Sequence, residues 1–129
     1  MHKSYLFIAS LFGAIAVSLG AFGEHGLKKI VSAEIVSTFQ TGVQYQMYHT
    51  FALIATAILY EKFGGSWLRW AGVFFIFGII LFSGSLYLLT FLKATGRLVS
   101  DGVGLVTPVG GLFFISGWIC LLTGIVKRS

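Results

Sequence analysis

Four long runs of uncharged, mostly apolar residues make up most of the chain, and short charged segments separate them. These runs of 20, 26, 23 and 25 residues cover 4–23, 35–60, 70–92 and 102–126. A helix rises about 1.5 Å per residue, so about 20 residues cross a hydrocarbon core of roughly 30 Å. The pattern therefore predicts an all-α, four-helix transmembrane bundle, a single integral membrane domain over residues 1–129. We place its spans at about 4–23, 42–60, 67–92 and 108–126.

Two boundaries of these spans have signals of their own. The segment 33–46 mixes apolar side chains with glutamate, serine and glutamine, and Ser32 just before it is a candidate N-cap. This pattern predicts a short amphipathic interfacial helix that leads into the second span. Pro108 is expected in the first turn of the fourth span, because its missing N–H has no helical partner there.

Composition supports a membrane protein and argues against several other classes. Hydrophobic residues are 57% and charged residues 10% of the chain, whereas an ordinary soluble domain is about 25% charged. The net charge is +5, but the basic residues stand singly or in pairs at the ends of apolar runs, as interfacial anchors do. We therefore expect the lipid bilayer, and not nucleic acid, as the partner. A lone cysteine, Cys120, offers neither a disulfide framework nor a CxxC metal pair.

The membrane orientation is only weakly encoded. Four spans put five basic residues on the side of the two termini: Lys3, Lys62, Arg69, Lys127 and Arg128. The other side receives four, which are Lys28, Lys29, Lys93 and Arg97. The positive-inside rule then favours both termini in the cytoplasm. Because five against four is a small difference, a dual topology stays open.

Glycine is frequent, at 17 of 129 residues, and it recurs at helical spacing. Helices in lipid associate through small residues that let their backbones approach closely. We predict helix-packing roles for six glycines: Gly13, Gly20, Gly84, Gly110, Gly117 and Gly124. They pack either within one bundle or, in the alternative interpretation, at the seam of a homo-oligomer.

Polar residues within the apolar runs are the candidates for function, because they are costly in a membrane. The predicted cluster comprises His25, Gln44, Tyr45, His49, Ser83, Ser85 and Thr107. His49 could carry a proton or bind a metal, or it could donate a hydrogen bond to a neighbouring helix. A site containing Glu24, His25 and His49 would require two helix ends to meet, and no ligand spacing supports it. We predict no catalytic residue, no metal and no cofactor.

Several segments match one family in order along the chain. They are Gly20–Leu27, Val43–His49, Leu81–Tyr87, Thr107–Gly111 and the pair Gly117-Trp118. In these segments the chain resembles domain-of-unknown-function family 423, small bacterial membrane proteins similar to the eukaryotic transmembrane protein 256. The resemblance implies a multi-pass membrane protein and brings no established activity. Glu24 departs from the pattern, in which a small residue is expected, and this weakens a metal site there.

Three functions remain to be compared. The first is a non-catalytic envelope assembly or interaction protein, and the second is a small oligomeric transporter or channel with a polar site around Gln44, Tyr45 and His49. The third is a membrane enzyme or metal protein that uses His25 and His49. A hydrated polar cavity at His49 would favour transport, adjacent histidine nitrogens would favour the third function, and polar groups sealed between helices would favour the first.

Overall fold

The chain folds as an all-α protein in a computed structural model that describes residues 1–98 and 101–128. The helices are α1 (Lys3–Glu24), α2 (Ala33–Phe63), α3 (Ser66–Gly78), α4 (Gly84–Ala94) and α5 (Asp101–Arg128). A 3₁₀ turn, Leu27–Lys29, follows α1, and a π turn, Ile79–Ser83, joins α3 to α4. The predicted fold class, all-α, is confirmed, and no strand occurs among the described residues.

Three helical segments of the described chain are long and apolar enough to cross a membrane. They are Lys3–Lys29, Ser66–Ala94 and Gly102–Lys127. The second consists of α3, the π turn and α4 in one run. The polar side chains in the first half of α2 lower its hydropathy, and α2 is not among the three segments.

Local signals explain where these helices start and stop. The Ser32 hydroxyl accepts the Ile35 N–H at 3.4 Å, so the predicted N-cap of α2 is confirmed. Gly64 and Gly65 separate α2 from α3, and Gly65 has a φ of +127°, which residues with a side chain rarely adopt. The chain therefore reverses direction within two residues.

Residues 33–46, where the sequence predicts an amphipathic lead-in to the second span, are helical. They are the first half of α2, which continues without a break for 31 residues. Its buried residues there include Val36, Phe39 and Gly42, and Leu86 and Tyr87 lie close enough to Gly42 that a Cβ would be 3.0 Å from the Tyr87 ring. Because this half of α2 packs against α1 and α4, it belongs to the bundle.

The position expected for Pro108 is wrong. Helix α5 begins at Asp101, so Pro108 lies about two turns inside it rather than in the first turn. Proline in a helix removes one backbone hydrogen bond. The helix before Pro108 lies against α4, where the Thr107 hydroxyl forms a hydrogen bond with Ser85.

Helix α2 lies between the other elements. It packs against α1 on one side and against α3 and α4 on the other, while α3 and α4 pack along α5. The His2 N–H donates to the Ala57 carbonyl at 3.0 Å, and the Lys127 ammonium lies 5.2 Å from the Trp67 ring centroid. The two ends of the chain are therefore at the same end of the bundle.

The glycine stripe of α5, which consists of Gly110, Gly117 and Gly124, packs against other helices of the same chain. A Cβ at Gly110 would lie 2.7 Å from the Phe82 Cα, and one at Gly117 would lie 2.6 Å from the Phe75 ring. Gly124 likewise faces Leu68, so the three glycines contact residues seven apart on the opposite helices. This seam holds α5 against the Ser66–Ala94 run.

The other predicted packing glycines differ from one another. A Cβ at Gly13 would lie 3.7 Å from the Thr50 side chain, and one at Gly20 would lie 3.3 Å from Val43, so both glycines face α2. A Cβ at Gly84 would meet nothing within 4 Å. Gly84 therefore makes no close helix contact within the described chain.

Candidate functional site

The polar residues of α2 divide between an inner and an outer face of the helix. Gln46 and His49 are buried against the other helices, whereas Gln44 and Tyr45 are exposed. The Gln46 amide nitrogen donates to the carbonyl of Phe12, near the middle of α1, at 2.8 Å. Gln46 and the polar residues next to it on α2 therefore lie at mid-height in the bundle, level with the centre of α1.

Gln46 is the centre of the inner polar contacts. Its side chain is 2% exposed, and its carbonyl oxygen accepts the Tyr87 hydroxyl at 2.6 Å while its nitrogen donates to Phe12 of α1. These two bonds fix the orientation of the amide, because its oxygen faces a donor and its nitrogen an acceptor. Gln46 thus links three helices, α1, α2 and α4.

His49 is held on both ring nitrogens. The Trp118 indole N–H donates to His49 Nε2 at 3.1 Å, and Nδ1 lies 2.8 Å from the Tyr45 carbonyl. Since an indole nitrogen only donates, Nε2 accepts and Nδ1 carries the hydrogen that is donated to Tyr45. The ring also stacks on Phe114 with centroids 3.5 Å apart. In this arrangement no lone pair of His49 is available to a metal or a substrate.

The hydroxyl groups of the π turn and α4 also connect helices. Ser83 donates to the Gly42 carbonyl of α2 at 2.6 Å. Ser85 donates to the Phe82 carbonyl at 2.8 Å, and its oxygen lies 2.5 Å from that of Thr107 in α5. Because the Ser85 proton is used on its own helix, Thr107 is the donor in the second contact.

The structure does not bring His25 to His49. His25 is exposed at the end of α1, and its Nδ1 lies 2.9 Å from the Ala21 carbonyl of the same helix. Gln46 is level with Phe12, 13 residues before His25, which corresponds to about 20 Å along α1. Among the described residues no three histidine, cysteine or acidic side chains group closely enough to hold a metal.

At the end of α1, Glu24 contacts Gln40 of α2 and not the two histidines with which the sequence analysis considered it for a site. The Gln40 amide donates to the Gly20 carbonyl at 3.2 Å and to a Glu24 carboxylate oxygen at 3.3 Å. Glu24 also lies 3.3 Å from the Lys28 ammonium. These contacts fasten the turn after α1 to α2 and leave His25 outside them.

Three residues of the inner network were absent from the predicted cluster: Gln46, Tyr87 and Trp118. Gln46 was visible as one of several glutamines, but helical spacing does not say which of them points inward. His49 and Thr50 follow Gln46 by three and four residues, so helical spacing places all three on one face, and all three are buried. Trp118 had no such signal, because its contact with His49 joins residues 69 positions apart.

We expect Tyr87→Phe to lower the free energy of unfolding by about 1 kcal/mol. The change removes the hydroxyl that donates to Gln46 and keeps the ring against Phe39, at a centroid distance of 5.2 Å. Hydrogen bonds between membrane helices contribute about 0.6 to 2 kcal/mol. Unfolding in mixed detergent micelles measures the effect, with Tyr60→Phe as the matched control, because the Tyr60 hydroxyl has no hydrogen-bond partner within the described chain. Equal stability of both variants would contradict the assigned bond.

The outer face of α2 carries the polar residues that the bundle leaves unused. Tyr45 is 38% exposed and stacks on Phe82 at 4.7 Å, and Tyr48 is 55% exposed. The Gln44 amide and the Tyr48 hydroxyl have no hydrogen-bond partner within the described chain. Two side chains with hydrogen-bonding capacity therefore face outward at the level of the bundle's middle.

Comparison with known proteins identifies relatives over the whole length. The family model described as "Protein of unknown function (DUF423)" matches residues 19–111. The chain is 40% identical to the UPF0382 inner membrane protein YgdD of Escherichia coli K12, over 95% of this chain and 88% of the relative. It is also 40% identical to a UPF0382 membrane protein of Haemophilus influenzae, over 100% and 98%. The UPF0382 membrane protein YwdK of Bacillus subtilis is 37% identical, over 97% and 98%. No solved structure matches the chain.

Proposed function

The chain belongs to the DUF423 family of bacterial membrane proteins, and from this premise we propose that it is a non-catalytic, four-span interaction protein of the bacterial envelope. Its working surface is the outer face of α2, where the Gln44 amide and the Tyr48 hydroxyl lie at mid-height and have no hydrogen-bond partner in the part of the chain that the structure describes. That single observation carries the proposal, since a polar group facing hydrocarbon is costly and membrane proteins keep such groups for binding.

The length and packing of α2 support its role as a membrane span in addition to the three apolar segments. Its 31 residues correspond to a helix of about 46 Å, longer than a hydrocarbon core of roughly 30 Å. It runs antiparallel to α1, with Gly20 facing Val43 near one end and His2 bonded to Ala57 near the other. Its inward polar groups Gln46 and His49 are paired with other helices, which lowers the cost of crossing.

The same contacts favour an interaction protein over a transporter or enzyme. A transport path needs polar groups that face a hydrated space, yet Gln46, His49 and Ser83 each bond to another helix. The transporter alternative would then depend on the outward Gln44 and Tyr45, enclosed between copies. An enzyme based on histidine would need His25 near His49.

The charge distribution supports cytoplasmic termini. Both chain ends belong to the bundle end that carries Lys3, Lys62 and Arg69, and the sequence places five basic residues there against four at the opposite end. The excess is small, but positive charge is retained on the cytoplasmic side. We therefore propose that both termini are cytoplasmic and that α1 crosses outward from the cytoplasm.

Site-specific photocrosslinking in native bacterial membranes tests the proposed surface. A photoreactive phenylalanine analogue at Tyr48 is expected to give protein adducts of discrete mass, because this face contacts another protein. The same analogue at Leu11, which is next to Phe12 and 50% exposed on α1, is the control at matched depth. It should react with lipid alone. The same adduct pattern at both positions would refute the proposed surface.

A further inference from the structure

One stripe of outward residues along α2 is spaced alternately by four and three positions. The stripe, called here the α2 seam, comprises Ser37, Thr41, Gln44, Tyr48, Phe51, Ala55 and Ile58. All are exposed except Thr41, which is half-buried, and Phe51 and Ile58 are 61% and 50% exposed. A seven-residue repeat of this kind is typical of helices that pair along their length with a left-handed crossing.

Gln44 is the residue in the α2 seam that most needs a partner. Outward hydroxyls on α1 and α5 donate to carbonyls four residues earlier in their own helices: Ser10 to Leu6, Ser18 to Ala14, and Thr123 to Ile119. Thr41 does the same with Ser37. The Gln44 amide, with two N–H donors and an acceptor oxygen, has no such bond within the described chain.

We propose that a second copy of this chain covers the α2 seam, related by a two-fold axis along the membrane normal. This inference rests on the proposed function of the outer face and names its partner. In such a pair each seam residue meets its own counterpart, so the two Gln44 amides lie opposite each other. An amide is self-complementary, because the nitrogen of each can donate to the oxygen of the other.

Other properties of the α2 seam fit a second copy. It contains no charged residue between Ser37 and Ile58, so it does not call for a partner of opposite charge. Ser37 and Ala55 near its ends are small enough to let two backbones approach. In paired helices, a single polar residue in a mostly apolar seam fixes the register of the two helices and the number of chains. Gln44 occupies such a position in the α2 seam. The glycine stripe of α5 is occupied within the chain and is not available for this contact.

Cysteine crosslinking of the full chain in native membranes tests the pair. In a Cys120→Ala background, Thr41→Cys, Tyr48→Cys and Ala55→Cys are each expected to give an oxidised species of twice the chain mass. All three should react, because in a parallel pair every seam residue faces its counterpart. The control is Ile115→Cys. Ile115 is 56% exposed on α5, and this variant should remain monomeric. Failure of the seam variants, or equal crosslinking by the control, would overturn the pair.

The role of the amide is tested separately. Gln44→Leu keeps most of the side-chain volume and removes the hydrogen bonds, so the dissociation constant measured by energy transfer between labelled copies in lipid vesicles should rise about tenfold. Thr123→Val removes an outward hydroxyl that is satisfied on its own helix and should leave this constant unchanged. An unchanged constant for Gln44→Leu would contradict the amide pairing.

The results separate the two proposals. If the photoreactive residue at position 48 gives an adduct of another mass and Tyr48→Cys gives no dimer, the seam binds a different membrane protein. The pair is then overturned while the proposed function stands. If neither experiment yields a protein adduct, both proposals fall.

Discussion

Gly110→Ala is expected to lower the free energy of unfolding by about 1 to 3 kcal/mol. The added Cβ would lie 2.7 Å from the Phe82 Cα, and a backbone atom cannot turn away as a flexible side chain can. The helices would have to separate locally, and overpacking of this size typically costs about 1 to 3 kcal/mol. Reversible unfolding in mixed detergent micelles, or thermal stability of the purified protein in detergent, measures the loss.

The adjacent Gly111 provides the matched control. A Cβ at Gly111 would meet nothing within 4 Å, and the residue is in the same helix next to Gly110. Alanine at a helix position without a clash is favoured over glycine by roughly 0.5 to 1 kcal/mol, so Gly111→Ala should be neutral or slightly stabilising. If Gly110→Ala proves as stable as Gly111→Ala, helix propensity and not the contact with Phe82 controls the outcome, and the seam between α5 and the Ser66–Ala94 run is misassigned.

The glycine seam shows how far the sequence could predict the fold. Gly110, Gly117 and Gly124 are seven residues apart, which is enough to place them on one side of a helix whatever its neighbours are. The sequence did not reveal what they face, because the contacts with Phe82, Phe75 and Leu68 join distant parts of the chain. Packing within the chain and packing between copies require the same small residues, so the sequence alone does not distinguish a bundle contact from a homo-oligomer contact.

Helix boundaries followed the local signals only where those signals were not opposed by packing. The Ser32 cap was predictable because it depends on a bond to Ile35, three residues away. The turn before Pro108 was not, since proline favours a helix start on local grounds, whereas the helix N-terminal to it contacts α4 through the Thr107–Ser85 hydrogen bond. The polar composition of residues 33–46 predicts an amphipathic helix, but it does not say that the buried side of this segment packs against α1 and α4.

The candidate site was predictable as a region but not as a set of contacts. Helical spacing places Gln44 and Tyr48, four residues apart, on one side of a helix, and both point outward in the structure. It could not tell inward from outward, because both faces of α2 contain glutamine at this level. Gln46, whose amide joins three helices, and Trp118, which donates to His49, emerged only from the three-dimensional arrangement.

His49→Ala is expected to lower the free energy of unfolding by about 2 to 4 kcal/mol. The ring is 6% exposed, stacks on Phe114 at 3.5 Å and accepts the Trp118 N–H. Its removal leaves a cavity between α2 and α5 and an indole N–H without its partner, and truncation of a large buried side chain costs about 2 to 5 kcal/mol. Trp118→Phe removes the N–H and keeps an aromatic ring, so it should cost only about 1 kcal/mol.

His25, which lies outside the network around His49, provides the control for losing an imidazole in general. His25→Ala changes an exposed side chain bonded only to its own helix, so unfolding in the same micelles should shift by less than about 0.5 kcal/mol. The double variant of His49→Ala and Trp118→Phe should lose about 1 kcal/mol less than the sum of the single losses, because both single changes break one shared bond. Additive losses would mean that His49 and Trp118 do not interact, and the imidazole nitrogen Nε2 would then be free for a ligand.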